Sequence, residues 1–116
     1  MNERYIRQIM IPEIGEAGQE KLKNAKVLIV GIGGLGSPIS LYLTAAGVGQ
    51  IGLIDDDIVS KSNLQRQILY TEAEIGQSKV ECACRRLSAL NSSTRFETYP
   101  NRFTPDNANR LVLAYD

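Results

Sequence analysis

The sequence predicts an α/β fold in which the chain builds the N-terminal half of a doubly wound parallel sheet, in strand order 3-2-1, after an N-terminal helical segment. Three observations support this prediction: short apolar runs alternate with helical patterns, a glycine cluster follows the first run, and neither a repeat nor a linker interrupts the chain. With 116 residues, 43% of them hydrophobic, the chain is long enough for one domain with its own core. We therefore interpret residues 1–116 as a single domain, with a helical arm over residues 1–25 and a β-α-β-α-β-α unit over residues 26–116.

The first strand and the first helix of this unit lie on either side of the glycine cluster. Val27–Val30 is a continuous apolar run, which is typical of a strand buried on both faces of a parallel sheet. Helical spacing follows, with one apolar stripe made of Leu35, Ile39, Leu43 and Ala46. Gly47 lies near the C-terminal end of this predicted helix, where glycine is the common terminator.

The second strand and helix are predicted from Gln50 to Leu90. Gln50–Asp55 is the strand, and Ile75–Leu90 is an amphipathic helix. Ser78 and Glu81 have the spacing of a capping box near the start of that helix.

The third strand and helix complete the pattern. Arg95–Tyr99 alternates like a strand, and Thr104 caps a helix that continues with a proline and an acid and runs to about Leu113. In a complete doubly wound fold, a fourth strand would next pair with the first one. We therefore expect the edge of the first strand to be covered by a longer chain or by another chain.

The composition excludes several functional classes. Thirteen basic and thirteen acidic residues give a net charge of zero, so no overall basic field attracts nucleic acid or a membrane. No apolar run approaches the roughly 18 residues of a membrane span, and charges interrupt the stretch that a signal peptide would need, so we expect a cytoplasmic protein. Because the sequence has no histidine, its chemistry must come from Arg, Lys, Asp, Asn and backbone groups. Cys82 and Cys84, two apart on a predicted helix, are interpreted as buried or idle thiols.

The glycine cluster has the G-x-G-x-x-G pattern between a predicted strand and a predicted helix. Gly31 permits the tight turn, Gly33 and Gly34 leave room for phosphate oxygens, and Gly36 allows the helix to pack closely on the strand. Asp55 follows at the end of the second strand, in position to accept hydrogen bonds from a ribose. Together these features favour a nucleotide-binding, Rossmann-like site over an ordinary strand-to-helix turn.

A long polar loop after the second strand bears on which nucleotide is bound. Arg66, in this loop, and Lys79, in the first turn of the next helix, supply two positive charges near the presumed phosphates. Two cations suit a triphosphate attacked at phosphorus, where negative charge develops on the oxygens. Taken singly, each is also consistent with a solvated surface charge, and the glycine turn with Asp55 also permits a nicotinamide-dependent oxidoreductase.

At this point the sequence resembles the ThiF/MoeB/HesA family, the bacterial relatives of ubiquitin-activating enzymes, from Arg4 to about Leu113. The elements that carry the resemblance are Arg4-Tyr5-x-Arg7-Gln8-Ile9, Val30 to Gly36, Ala46-Gly47-Val48-Gly49, Asp55-Asp56-Asp57, Ser62-Asn63-Leu64-Gln65-Arg66-Gln67 and Gly76 to Val80. The resemblance implies an enzyme that binds Mg-ATP and adenylates the C-terminal carboxylate of a ubiquitin-like sulfur-carrier protein ending in Gly-Gly, with release of pyrophosphate.

The same resemblance implies roles for individual residues. Gly34 would lie against the nucleotide, Asp55 would bind ribose, and Asn63, Arg66 and Lys79 would contact the phosphates. The full set of implied cofactor-binding residues is Gly31, Gly33, Gly34, Gly36, Asp55, Asn63, Gln65, Arg66 and Lys79.

The catalytic cations implied are Arg7, Arg66 and Lys79, which offset the repulsion between an attacking carboxylate and a triphosphate. Arg7 would reach into the neighbouring subunit's site, so a homodimer is the expected assembly. The alternative for Arg7 is a solvated charge on an N-terminal amphipathic helix.

The resemblance covers only an N-terminal portion of the family's pattern. The family's magnesium-binding aspartate and its zinc-binding Cys-x-x-Cys pairs would fall beyond Asp116, so no metal ligand is assigned in this chain, and we expect the chain alone to bind ATP weakly and not to complete turnover. A catalytically inactive scaffold of the same fold is therefore an alternative. The sequence around Thr104 is also similar to a sister branch of the family that acts on a modified adenosine in tRNA, which leaves the acceptor open.

Overall fold

The computed structural model describes residues 3–116 and contains a three-stranded parallel sheet. The strands are β1 (Lys26–Val30), β2 (Gln50–Ile54) and β3 (Arg95–Tyr99), in the order β1-β2-β3. Val27 lies opposite Ile51, which in turn lies opposite Phe96. The predicted fold class and the predicted strand order are both confirmed.

Five α-helices surround this sheet in the described part of the chain. They are α1 (Ile6–Ile9), α2 (Gly15–Asn24), α3 (Gly36–Ala46), α4 (Lys79–Leu90) and α5 (Pro105–Leu113), with short 3-10 turns at Glu3–Tyr5, Lys61–Asn63 and Glu72–Glu74. The predicted end of α3 is confirmed, because Gly47 follows it with a φ of 98°. The predicted start of α5 is confirmed as well: Thr104 and Asn107 form a capping box, and the Thr104 N–H donates to Asn107 Oδ1 at 2.9 Å. None of the helices in residues 3–116 has the length and hydropathy needed to cross a membrane.

The apolar stripe predicted for α3 is buried only in part: Leu43 packs against the core, whereas the stripe is exposed near the start of the helix. Leu35 is 80% exposed and Ile39 is 49% exposed. The face that packs inward carries small residues instead, namely Gly36, Ser37, Ser40 and Thr44. Small side chains let α3 pack closely against the sheet. Side-chain size, more than hydropathy, therefore determines which face of α3 is buried.

The predicted start of α4 is also wrong by four residues. Ile75 ends a 3-10 turn, Gly76 has a φ of 90°, and the helix begins at Lys79. Ser78 is the N-cap residue, but its side chain makes no capping hydrogen bond, so the predicted box with Glu81 does not form. Residues 76–78 pair instead with the loop after β2, which competes with an earlier start of the helix.

The core lies between β2 and the helices α3 and α4. Ile51 and Leu53 are fully buried in a cluster that includes Val80 and Leu87 of α4. Gly52 points to the opposite face, because successive residues of a strand alternate. There the hydroxyl of Tyr115 lies against Gly52, so the C-terminal segment covers the second face.

Candidate nucleotide-binding site

The glycine turn joins β1 to α3, and the fold itself requires two of its glycines. Gly31 has a φ of 85°, a conformation that favours glycine, and its N–H donates to the Ile54 carbonyl at 2.9 Å. A Cβ on Gly36 would collide with the Gly31 carbonyl oxygen. These two residues therefore fix the shape of the turn and the approach of α3 to β1.

No contact within residues 3–116 requires glycine at the other two positions of the turn. Gly33 and Gly34 have no positive φ. A Cβ on Gly33 would lie 3.5 Å from Gln67 Nε2, and one on Gly34 would lie 3.7 Å from Arg66 Cδ, which are ordinary contact distances. What glycine provides at these positions is bare backbone, which is what the close approach of a phosphate needs.

Asp55 connects the end of β2 to the glycine turn. Its Oδ2 accepts a hydrogen bond from the Ile32 N–H at 2.7 Å, and its Oδ1 accepts one from the Asp57 N–H at 2.8 Å. Asp55 also lines a hollow of about 240 Å³ together with Gly31 and Phe103. Because each carboxylate oxygen can accept more than one hydrogen bond, Asp55 can still accept from a ribose hydroxyl.

Lys79 is linked to Asp55 through Asp57. Its side chain is 5% exposed, and its Nζ lies 3.5 Å from Asp57 Oδ2. Lys79 is the first residue of α4, so the start of that helix fixes its backbone.

The polar loop brings Arg66 to the turn. Arg66 is exposed, its guanidinium donates to the Ser62 carbonyl at 3.2 Å, and its side chain flanks Gly34. Asn63 accepts hydrogen bonds from the N–H and hydroxyl of Ser60 at its Oδ1, so only its NH₂ group is left for a ligand. Gln65 is exposed on the loop.

Arg7 lies away from the glycine turn. It is exposed on α1, whose next residue, Gln8, donates to the Ala46 carbonyl at 2.9 Å. Ala46 ends α3, whereas the glycine turn precedes its start. The eleven residues of α3 span about 16 Å, so Arg7 lies at the far end of that helix from its own glycine turn.

The sequence analysis missed two buried polar residues that lie against the glycine turn. Tyr70 donates its hydroxyl to the Ile32 carbonyl at 2.8 Å. Burial, reinforced by the negative charge of Asp55, raises the pKa of Tyr70 far above its usual value and keeps it a neutral donor. Gln67 is 3% exposed, and its Oε1 has no hydrogen-bond partner within residues 3–116. Gln67 lies in the polar loop that the sequence singled out, whereas nothing in the sequence marked Tyr70.

The sequence analysis also missed the segment after β3. Arg102 and Phe103 line the hollow beside Asp55, and Arg102 pairs with Asp56 at 3.8 Å. A charge pattern alone gives no signal for this pairing, because the two residues are far apart in the sequence.

The three consecutive acids do not fit a magnesium site. Asp55 accepts backbone N–H groups, Asp56 pairs with Arg102, and Asp57 pairs with Lys79. No group of three or more metal-binding side chains is gathered anywhere in the described part of the chain.

Comparisons with known proteins find relatives that are similar in sequence and in fold. The ThiF family model matches residues 5–116. The sulfur carrier protein adenylyltransferase of Thermus thermophilus is 49% identical over 114 residues, which are 98% of this chain and 42% of that protein. The crystal structure of E. coli MccB with ATP has a TM-score of 0.85 at 35% identity and covers 97% of this chain and 35% of that one. E. coli tRNA N6-threonylcarbamoyladenosine dehydratase has a TM-score of 0.89 at 32% identity and covers 97% and 47%.

This chain thus spans less than half the length of each of these three proteins. Within that span, the family model matches almost the whole sequence, including the glycine turn, Asp55, the polar loop and Lys79. On this match, the chain belongs to the ThiF family.

Proposed function

We propose that this chain is the ATP-binding part of an enzyme that adenylates the C-terminal Gly-Gly carboxylate of a ubiquitin-like sulfur-carrier protein. The observation that carries the proposal is the bare backbone of Gly33 and Gly34, flanked by the Arg66 side chain. A relative at 49% identity is a sulfur carrier protein adenylyltransferase, which supports this choice of acceptor over the tRNA branch, where the identity is 32%.

The proposed reaction joins two anions. A carboxylate oxygen of the carrier attacks the α-phosphorus, the bond from that phosphorus to the bridging oxygen of the β-phosphate breaks, and pyrophosphate leaves with the electron pair. Because the carboxylate is ionised at neutral pH, the step requires no general base. The cations Arg66 and Lys79 offset the repulsion and the charge that develops on the leaving oxygens, while Asp55 holds the ribose.

We also propose that the working unit is a homodimer in which Arg7 serves the partner's site. An apolar stripe supports this: Leu35 is 80% exposed, Ile39 49% and Tyr42 77%, all on one face of α3. This α3 stripe runs from the glycine turn towards the end of the helix that contacts α1. If two α3 helices pack antiparallel about a twofold axis, the stripe is covered and each Arg7 comes near the partner's glycine turn.

Two further parts of the proposal concern metal and compartment. The magnesium that accompanies ATP in this family is not assigned to residues 3–116, where no group of three or more His, Cys, Asp or Glu side chains is placed to hold a metal ion. The two cysteines are free thiols, as is usual in the cytoplasm, which is the compartment that we propose.

The first test is nucleotide binding by isothermal titration calorimetry. We expect ATP to bind more tightly than NADH, and Arg66→Ala and Lys79→Ala each to weaken ATP binding about tenfold. Arg110→Ala is the matched control, because it removes an exposed arginine from α5. Unchanged affinity in both site variants would remove the proposed roles, and tighter binding of NADH would favour an oxidoreductase.

The second test addresses the reaction itself. We expect the enzyme of which this chain is the ATP-binding part to catalyse ATP–pyrophosphate exchange that depends on a carrier protein ending in Gly-Gly. If that enzyme binds ATP but catalyses no exchange, it is instead a non-catalytic nucleotide-binding module.

A further inference from the structure

Lys79 carries a nearly buried positive charge. Its side chain is 5% exposed, whereas Asp57, its ion-pair partner at 3.5 Å, is 64% exposed. An ammonium group removed from water is strongly destabilising unless a charged partner compensates it. Within residues 3–116, Asp57 is the acid that does so for Lys79.

Backbone hydrogen bonds hold the two residues in register. The Lys79 N–H donates to the Asp57 carbonyl at 3.1 Å. Beside it, Ile58 and Ser78 form an antiparallel bridge, and the Val59 N–H donates to the Gln77 carbonyl at 2.9 Å. The loop after β2 is therefore tied to the start of α4. These backbone contacts keep the Asp57 carboxylate close to the Lys79 ammonium.

Asp57 is also connected to the nucleotide side of the site. Its N–H donates to Asp55 Oδ1 at 2.8 Å, and Asp55 Oδ2 accepts from the Ile32 N–H in the glycine turn at 2.7 Å. A continuous series of contacts thus runs from the turn through both acids to Lys79.

We propose that Asp57 is a positioning residue, which holds the Lys79 ammonium beside the glycine turn and orients it towards the phosphates of the nucleotide. This inference rests on the proposed function. An ammonium has three N–H groups, so one can face Asp57 while the others donate to phosphate oxygens. Because Asp57 acts through Lys79, its carboxylate contributes to the binding of the phosphates and not to that of the nucleoside.

The experiment is a double-mutant cycle read with two ligands, ATP and adenosine. We expect Asp57→Asn to weaken ATP binding about tenfold and to leave adenosine binding unchanged. In a Lys79→Met background, the same change should cost no further ATP affinity, because the group through which Asp57 acts is gone. Losses that add fully in the double variant, or an equal loss for adenosine, would overturn the proposal.

Glu81→Gln is the matched control, since it removes a carboxylate from the first turn of the same helix, and Glu81 is exposed and forms no salt bridge within residues 3–116. It should bind both ligands like the wild type. If Asp57→Asn does not fold, Asp57→Glu takes its place: it keeps the charge but moves it, and we expect weaker ATP binding with normal adenosine binding, whereas normal binding of both ligands would count against the proposal. Wild-type protein that binds no ATP would refute the proposed function itself, which is a different outcome from an Asp57 variant that behaves like the wild type.

Discussion

The glycine turn shows that one residue type serves two different purposes within six positions. Gly31 and Gly36 are required by the chain's own geometry, through a positive φ at the first and a blocked Cβ position at the second. Gly33 and Gly34 have neither constraint. The sequence pattern predicts the same division, and the structure adds its physical basis at Gly31 and Gly36.

This separation predicts opposite phenotypes for two alanine substitutions. Gly36→Ala should lower the free energy of unfolding by about 2 kcal/mol, because its Cβ meets the Gly31 carbonyl and α3 must move away from β1. Gly34→Ala should leave stability nearly unchanged, yet it should weaken ATP binding, because a methyl group then stands where a phosphate approaches. Urea denaturation and calorimetric titration of both variants measure the two effects. A destabilised Gly34→Ala with normal ATP affinity would reverse our assignment.

At the scale of elements, the sequence predicted the type and order of the strands and helices but not every face or boundary. Short apolar runs mark β1 and β2, and alternation marks β3, which is why the three strands were found almost to the residue. The small residues that α3 buries were missed because hydropathy counts Gly, Ser and Thr as polar or neutral. The start of α4 was missed because a bridge between Ile58 and Ser78, twenty positions apart, competes with the helix.

The exposure of Leu35, Ile39 and Tyr42 in the α3 stripe leads to a prediction about assembly. Ile39→Glu introduces a charge into the middle of the α3 stripe, and burying that charge in a dimer would be costly, so the variant should be monomeric where the wild type is dimeric. Val112→Glu on α5 is the matched control, because Val112 is 48% exposed and Ile39 is 49% exposed. Light scattering coupled to size-exclusion chromatography gives the mass of each. A dimeric Ile39→Glu with wild-type mass would show that this face is not the interface.

At the scale of the whole molecule, the predicted site residues divide into two groups that one copy of the chain cannot unite. Asp55 contacts the glycine turn, Arg66 flanks it and Lys79 is linked to it through Asp57 and Asp55. Arg7, in contrast, lies at the opposite end of α3, about 16 Å away by the rise of that helix. The residue patterns themselves give no information on this separation, which only the family resemblance implied, because it depends on how α1 docks on the end of α3. The contact between Asp57 and Lys79 was likewise beyond local pattern, since a loop and a helix start meet only in the folded chain.

The division of the site predicts complementation between two inactive variants. Arg7→Ala would damage the partner's site, whereas Lys79→Ala would damage its own. In a mixed dimer, both defects then fall on one site and the other site is intact. Because random mixing of equal amounts makes half of the dimers mixed, each with one intact site of two, the mixture should recover about one quarter of the wild-type rate of carrier-dependent ATP–pyrophosphate exchange. Mixing Lys79→Ala with Arg66→Ala is the control, since both residues belong to the same site and a mixed dimer has a defect in each. Recovery in the control as well, or none in the first mixture, would argue that Arg7 does not act across the interface.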